Sequence, residues 1–196
     1  MRRRFLFVLL AALCCAAWPT APTPAAAQTT RQYIDGTVIG ISGRAAGRSR
    51  PFRVIVNSYS TEGEVRSLND ALQSGGQDAL LDALRRLDAG RIAFGGGVGV
   101  TANAIIRTPT AEGGTKLQVI YERTVNLYEL RYGTRSADYR FGYAEIFLDR
   151  RGRGQGTLIP AARIRLRDGN NWEVEDFGAF PARLMGVRAT GTVPAR

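Results

Sequence analysis

The side chains this sequence lacks limit its chemistry more than those it has. The chain contains no histidine, Lys116 is its single lysine, and its two cysteines, Cys14 and Cys15, both lie in an N-terminal segment that reads as a removable leader. Without that segment, Ser-His-Asp and Cys-His catalysis are excluded, as is an ordinary structural zinc site. A Ser-Lys arrangement would have to use Lys116, which follows Thr115 at a predicted strand start, where a solvated lysine is the ordinary expectation. Paired carboxylates remain, because a glycosidase needs only two, about 5–10 Å apart across a cleft. The candidates are Glu129, Asp138, Glu145 and Asp176. Scattered acids among many arginines usually form surface ion pairs, and no aspartate-rich loop has calcium-binding spacing. The expectation is a non-enzymatic protein with no cofactor and no metal.

Two glycine clusters resemble binding motifs. Gly95-Gly96-Gly97-Val98-Gly99-Val100-Thr101-Ala102 contains a degenerate dinucleotide fingerprint, but that motif requires a following helix. Asn103 to Arg107 reads as strand, so a bulge or tight bend is predicted. Gly152-Arg153-Gly154-Gln155-Gly156 is similar to an arginine-glycine nucleic-acid segment, yet a single short instance between two strands reads as a hairpin loop. No specific nucleic-acid partner is expected. The aromatics Tyr121, Tyr128, Tyr132, Tyr139, Phe141, Tyr143, Phe147 and Trp172 crowd the second half of the chain, as core filler or as the lining of an apolar pocket. Tyr121, Tyr128, Tyr143 and Trp172 are taken as the ligand-binding candidates.

Elements to position these residues follow from periodicity. Tyr33 to Ser42 reads as a first strand and the β-branched run after Pro51, Phe52 to Tyr59, as a second, separated by a basic loop with Arg44, Arg48 and Arg50. Thr61 with Glu64 forms a capping box. Val65, Leu68 and Leu72, then Leu80, Leu81, Leu84 and Leu87 after Gly75-Gly76, predict a helical hairpin at about 62–89. Its apolar stripes would cover a sheet face or plug a barrel end. Further strands are predicted at Ile92 to Phe94, Val98 to Arg107, Lys116 to Thr124, Val125 to Tyr132, Tyr139 to Asp149, Gly156 to Arg167, Asn171 to Phe177 and Arg183 to Thr190. Their short connections imply antiparallel pairing.

One hairpin carries enough pattern to give its register. Ala162, Ile164 and Leu166 alternate with Arg163, Arg165 and Arg167, while Trp172 and Val174 alternate with Glu173 and Glu175. A three-residue loop at Asp168-Gly169-Asn170 sets Leu166 opposite Trp172, Ile164 opposite Val174, Arg165 opposite Glu173 and Arg163 opposite Glu175. A two-residue loop would set Leu166 against Glu173, so the longer loop is predicted.

The leader is Arg2-Arg3-Arg4, an apolar run from Phe5 to Ala17, and Ala25-Ala26-Ala27 before Gln28 as a small-residue cleavage site. The run is shorter than the roughly 20 residues a membrane helix needs, so no transmembrane segment is expected after processing. Residues 28–196 form one domain, exported to the periplasm or outside the cell. Lipidation at Cys14 or Cys15 is disfavoured because no small residue precedes the pair at Leu13, and Arg2 to Leu6 leaves ordinary and twin-arginine export both open. Losing Arg2, Arg3 and Arg4 lowers the formal net charge from +10 to +7. That balance suits anionic surfaces, although an arginine-, alanine- and glycine-rich composition also follows from a GC-rich genome.

Three segments look familiar together: Gly75 to Leu84, Ser136 to Phe141 leading into Glu145 to Asp149, and Gly152 to Ala162. In that order the chain resembles a family of short exported bacterial proteins without an established activity. The resemblance, spanning about Phe52 to Val187, implies export and a single domain and supplies no catalytic residue.

The expected fold is mainly β: an antiparallel meander of about 8–9 strands forming a barrel, lipocalin-like in general shape, with one inserted α-hairpin. The alternative is a two-layer α+β arrangement with the helix pair on an open sheet. The expected function is non-catalytic binding of an apolar or amphiphilic small molecule, with arginines at the mouth meeting an acidic headgroup. The alternatives are an envelope structural or interaction protein using a basic surface and, third, the carboxylate-dependent glycosidase.

Overall fold

The structure, a computed structural model, describes residues 31–41, 46–123, 138–167, 171–177 and 181–193. The leader, Tyr128, Glu129 and the strand predicted at Val125 to Tyr132 lie outside these residues. Among the described residues there are ten strands and one helix: β1 (Gln32–Gly40), β2 (Ser49–Val56), α1 (Glu62–Leu84), β3 (Gly90–Phe94), β4 (Val100–Ala102), β5 (Ala104–Pro109), β6 (Thr115–Glu122), β7 (Phe141–Leu148), β8 (Arg153–Arg167), β9 (Asn171–Asp176) and β10 (Ala182–Thr190).

Nine strands follow one path, β4-β3-β2-β1-β10-β8-β7-β6-β5, with every neighbouring pair antiparallel. The path curls into a nearly closed barrel because its two ends, β4 and β5, are consecutive in the chain and β4 lies beside β6. The seam is sealed by side chains. Asn103 Oδ1 accepts from the Glu122 amide at 3.0 Å. Ser60 pairs the open edge of β5, its amide donating to Ile105 O at 2.8 Å and its Oγ accepting from Ile105 N at 3.1 Å. The strand predicted from Val98 to Arg107 is therefore two, split where Asn103 turns the corner from one edge to the other. The local meander is also broken once: β10 pairs β8 and β1, so the first and last strands are neighbours.

The hairpin register read from sequence is the observed one, from Ala162↔Asp176 through Ile164↔Val174 and Leu166↔Trp172 to Arg167↔Asn171. The ion pair on its outer face is diagonal, Arg165 Nη2 to Glu175 Oε2 at 2.8 Å, whereas the direct pairs Arg165/Glu173 and Arg163/Glu175 were predicted. Along the edge away from β7, strand β8 serves two partners, β10 through residues 153–158 and β9 through 162–167. The changeover falls at Pro160, which has no amide to give a ladder, and at a bulge against β7. The predicted arginine-glycine loop is mostly strand, since β8 begins at Arg153 and the turn ends at Gly152.

Alternation divides the apolar residues between the two faces. Ile34, Val54, Ile92, Leu117, Val119, Tyr121, Ala144, Ile146, Leu158 and Leu184 fill the barrel interior. Ala104, Ile120, Phe141, Tyr143, Ala162 and Ile164 form a second cluster outside, beneath α1. The helix begins with the predicted capping box, Glu64 N donating to Thr61 Oγ1 and Thr61 N to Glu64 Oε2. At Gly76 it kinks, the φ of +66° and ψ of −146° being non-helical, so α1 is two helical segments that meet where the Gly75-Gly76 interruption was predicted. Leu68, Leu72, Leu80, Leu81 and Leu84 are its buried stripe, each contributing ~2 kcal/mol by leaving water. Two amides lock it to the β8–β9 flap. Gln77 bonds the Ile164 amide (3.1 Å) and carbonyl (2.5 Å), and Asn69 Oδ1 accepts from Trp172 Nε1 at 2.5 Å. Thus α1 covers a sheet face and leaves both barrel mouths open to other elements.

Candidate functional site

One mouth of the barrel is an apolar cup. It is reached by the end of β1, the start of β2, the β3–β4 hairpin, the end of β6, the middle of β8 and the start of β10. Alternating positions on these strands turn Val38, Ile92, Phe94, Val100, Tyr121, Leu158 and Ala182 toward the barrel axis, and the registers Gly40↔Ala182↔Leu158 and Val100↔Ile92 hold them level. The open cavity they line measures about 730 Å³. Gly95 and Gly96 bend the chain between β3 and β4, with φ of +65° and +82°. The fingerprint-like glycines therefore make the tight bend that was predicted.

Tyr121 forms one wall of the cup through a glycine. In the β6–β7 ladder it pairs with Gly142, and a Cβ built there would lie 2.0 Å from Tyr121 Cζ. The outer part of the ring occupies the space that the Cβ of any other residue at 142 would take. Burial pushes the phenol's pKa well above its ordinary value, the charge of Arg123 opposing this only in part, so the hydroxyl stays protonated. It has no hydrogen-bond partner among the described residues and offers the cup a polar contact.

The rim is cationic. Arg48, Arg50, Arg123 and Glu122 border the opening. The Glu122 carboxylate is engaged by Arg85, with Nη2 at 2.7 Å and Nε at 3.1 Å, and this ion pair holds its pKa below the usual range. Arg123 Nε donates to the Tyr139 carbonyl at 2.9 Å. Among the described residues, exposed Arg48 and Arg50 have neither an ion pair nor a side-chain hydrogen bond. Their charges are left to meet an anion.

Of the four residues chosen for ligand binding, the structure brings only Tyr121 to the cup. Tyr143 pairs with Ile120 in register and so points outward, beneath α1. Its hydroxyl accepts from Gln118 Nε2 at 2.8 Å and donates to Glu145 Oε1 at 3.2 Å. Trp172 belongs to the outer cluster against α1, and Tyr128 lies outside the described residues. The residues not chosen from sequence are the aliphatic wall and the two arginines, Arg48 and Arg50. The signal for the arginines was present in the basic loop before Pro51.

The acids considered for hydrolysis do not gather here. Glu145 Oε1 is 3.0 Å from Lys116 Nζ on the outer face, which also engages the single lysine. Asp138 is exposed, and neither it nor Asp176 lines the cup. The opposite mouth is polar and smaller, about 350 Å³, lined by Gln32, Tyr59, Arg107, Thr115, Asp149 and Arg150 among others. There the Tyr59 hydroxyl bonds Gln32 Oε1, and the Arg107 guanidinium lies 5.4 Å from the Tyr59 ring centroid.

The chain matches no protein-family model, and comparisons with curated proteins and with solved structures return no similar protein.

Proposed function

We propose that this protein is a non-catalytic binding protein that holds an apolar or amphiphilic small molecule in the cup. The acyl or ring portion would lie against Val38, Ile92, Phe94, Val100, Tyr121 and Leu158, and an anionic headgroup would meet Arg48 and Arg50. The observation that carries this reading is the pairing of an apolar-lined opening with two arginines that have no other partner among the described residues. At about 730 Å³ the cavity falls within the roughly 300–1,000 Å³ usual for small-molecule sites. The leader-like segment supports export to the periplasm or outside the cell, as does the resemblance to short exported proteins.

The test is titration with a dansylated fatty acid and with the matching fatty alcohol. Saturable binding of both is expected, with Arg48→Gln/Arg50→Gln weakening the acid by about 25-fold and sparing the alcohol, since each of the two charges is worth ~1 kcal/mol, or about fivefold, near an anion. Val100→Arg, which fills the cup with a charge, should abolish both while the circular dichroism spectrum is unchanged. Absence of saturable binding, or undiminished binding in Val100→Arg, overturns the reading.

A further inference from the structure

The rim of the cup carries apolar side chains that face outward, away from its lining. Val98, at the tip of the β3–β4 hairpin next to cup-lining Gly99, is 84% exposed. Ile41, which follows cup-lining Gly40 at the end of β1, is 48% exposed. A β-branched residue projected on a glycine-flanked tip buries nothing within the chain, so this exposure brings no folding benefit. The hairpin is nonetheless held in place, Arg91 Nη1 reaching the Val98 carbonyl at 3.5 Å and Gly95 N donating to Pro51 O at 2.8 Å.

Charge on the same rim has one sign. Arg48 and Arg50 are exposed and unpaired among the described residues, and the one acid at the opening, Glu122, is neutralised by Arg85. Exposed apolar tips beside unpaired cations are the combination that favours an anionic bilayer surface, with apolar groups entering the interface and cations meeting headgroups. Neither would suffice alone, because two small side chains or two charges give only weak, reversible attachment.

We infer that the rim is a docking lip for an anionic lipid bilayer: Val98 and Ile41 enter the interface, Arg48 and Arg50 meet the headgroups, and the cup opens onto the lipid from which it takes its ligand. The inference rests on the reading of the cup as an amphiphile site, and it assigns the place of loading. Docking this way places the opening against the acyl chains, so a lipid reaches the cup without crossing water.

The experiment is flotation of the protein, purified after expression of the full-length chain, with phosphatidylcholine vesicles with and without phosphatidylglycerol. Wild type, Val98→Asp/Ile41→Asp and Arg48→Gln/Arg50→Gln are compared in the same preparation, and each is titrated separately with the dansylated fatty acid in vesicle-free buffer. Binding to anionic vesicles alone is expected, falling about tenfold or more in Val98→Asp/Ile41→Asp and about fivefold per arginine removed. The fatty-acid affinity of Val98→Asp/Ile41→Asp should equal that of wild type, because neither side chain lines the cup. Equal flotation with neutral vesicles, or flotation of the aspartate variant at the wild-type level, overturns the docking lip. Loss of fatty-acid binding in wild type with vesicle binding intact would instead remove the cup reading and leave the lip standing.

Discussion

Replacing Gly142 by alanine tests the wall of the cup directly. The new Cβ would lie 2.0 Å from Tyr121 Cζ, 2.2 Å from Cε2 and 2.4 Å from the hydroxyl. Carbon atoms rest about 3.5–4.0 Å apart, so the ring must move by roughly 1.5 Å or more. Overpacking of this kind costs about 1–3 kcal/mol. The ring borders an open cavity and can tilt into it, which keeps the cost near the middle of that range, ~2 kcal/mol. For a domain of this size that lowers Tm by about 4–8 °C. In a Tyr121→Ala background the three atoms nearest the methyl group are gone, and alanine is favoured over glycine in a strand by ~0.5–1 kcal/mol. Urea unfolding of the four proteins should therefore give a coupling of about 2–3 kcal/mol between the sites, with unchanged m-values. Gly142→Ala should also weaken fatty-acid binding, because the displaced ring takes up cup volume. Additivity of the two substitutions within about 0.5 kcal/mol would refute the contact, and with it the placement of Tyr121 in the wall.

Asn103→Ala should lower Tm by about 5–15 °C, because it strips partners from the buried Leu84 carbonyl, the half-buried Leu87 carbonyl and the Glu122 amide at a cost of about 2–4 kcal/mol. Differential scanning fluorimetry reads this, and a change below about 2 °C would show that the seam does not depend on that amide. Arg85→Met should cost little stability near neutral pH, since the pair with Glu122 is half exposed and screened by solvent. The folded-state pKa of Glu122 is depressed, so its contribution is present above the usual carboxylate pKa of 4.5 and disappears as pH falls through the lower folded value. Urea midpoints of wild type and variant should accordingly separate near neutrality and converge in acid. A gap that persists or widens in acid would contradict this assignment.

The parts of the fold that were legible in sequence are those where two independent patterns agree. The β8–β9 register was readable because apolar alternation and opposite charges select the same loop length. Thr61 and Glu64 mark the helix start for a similar reason, each side chain satisfying the other's backbone amide. Strand β7 shows where such reading ends. Phe141, Tyr143, Ala144 and Ile146 are all buried, because one face fills the barrel and the other lies under α1, so the usual alternation vanishes. Aromatic density there cannot say which ring faces a cavity, and Tyr143 and Tyr121 end on opposite sides of adjacent strands. Asn103 was hidden differently, as a single polar residue within a continuous strand pattern. Its role emerges only when helix, β6 and both barrel edges meet around it. The cup itself combines residues from seven strands far apart in the chain, and no local pattern encodes that convergence.

The β1–β10 ladder has a consequence for how this molecule is made. Tyr33 hydrogen-bonds beside Thr190, so the first strand to leave the ribosome waits for the last before its second edge is covered. Closure is thus a late, long-range event, slow by comparison with helix formation. A chain stopped before Ala182 would leave β1 and β8 as two bare, sticky borders, and nonsense truncations in that stretch should aggregate instead of yielding a smaller soluble form.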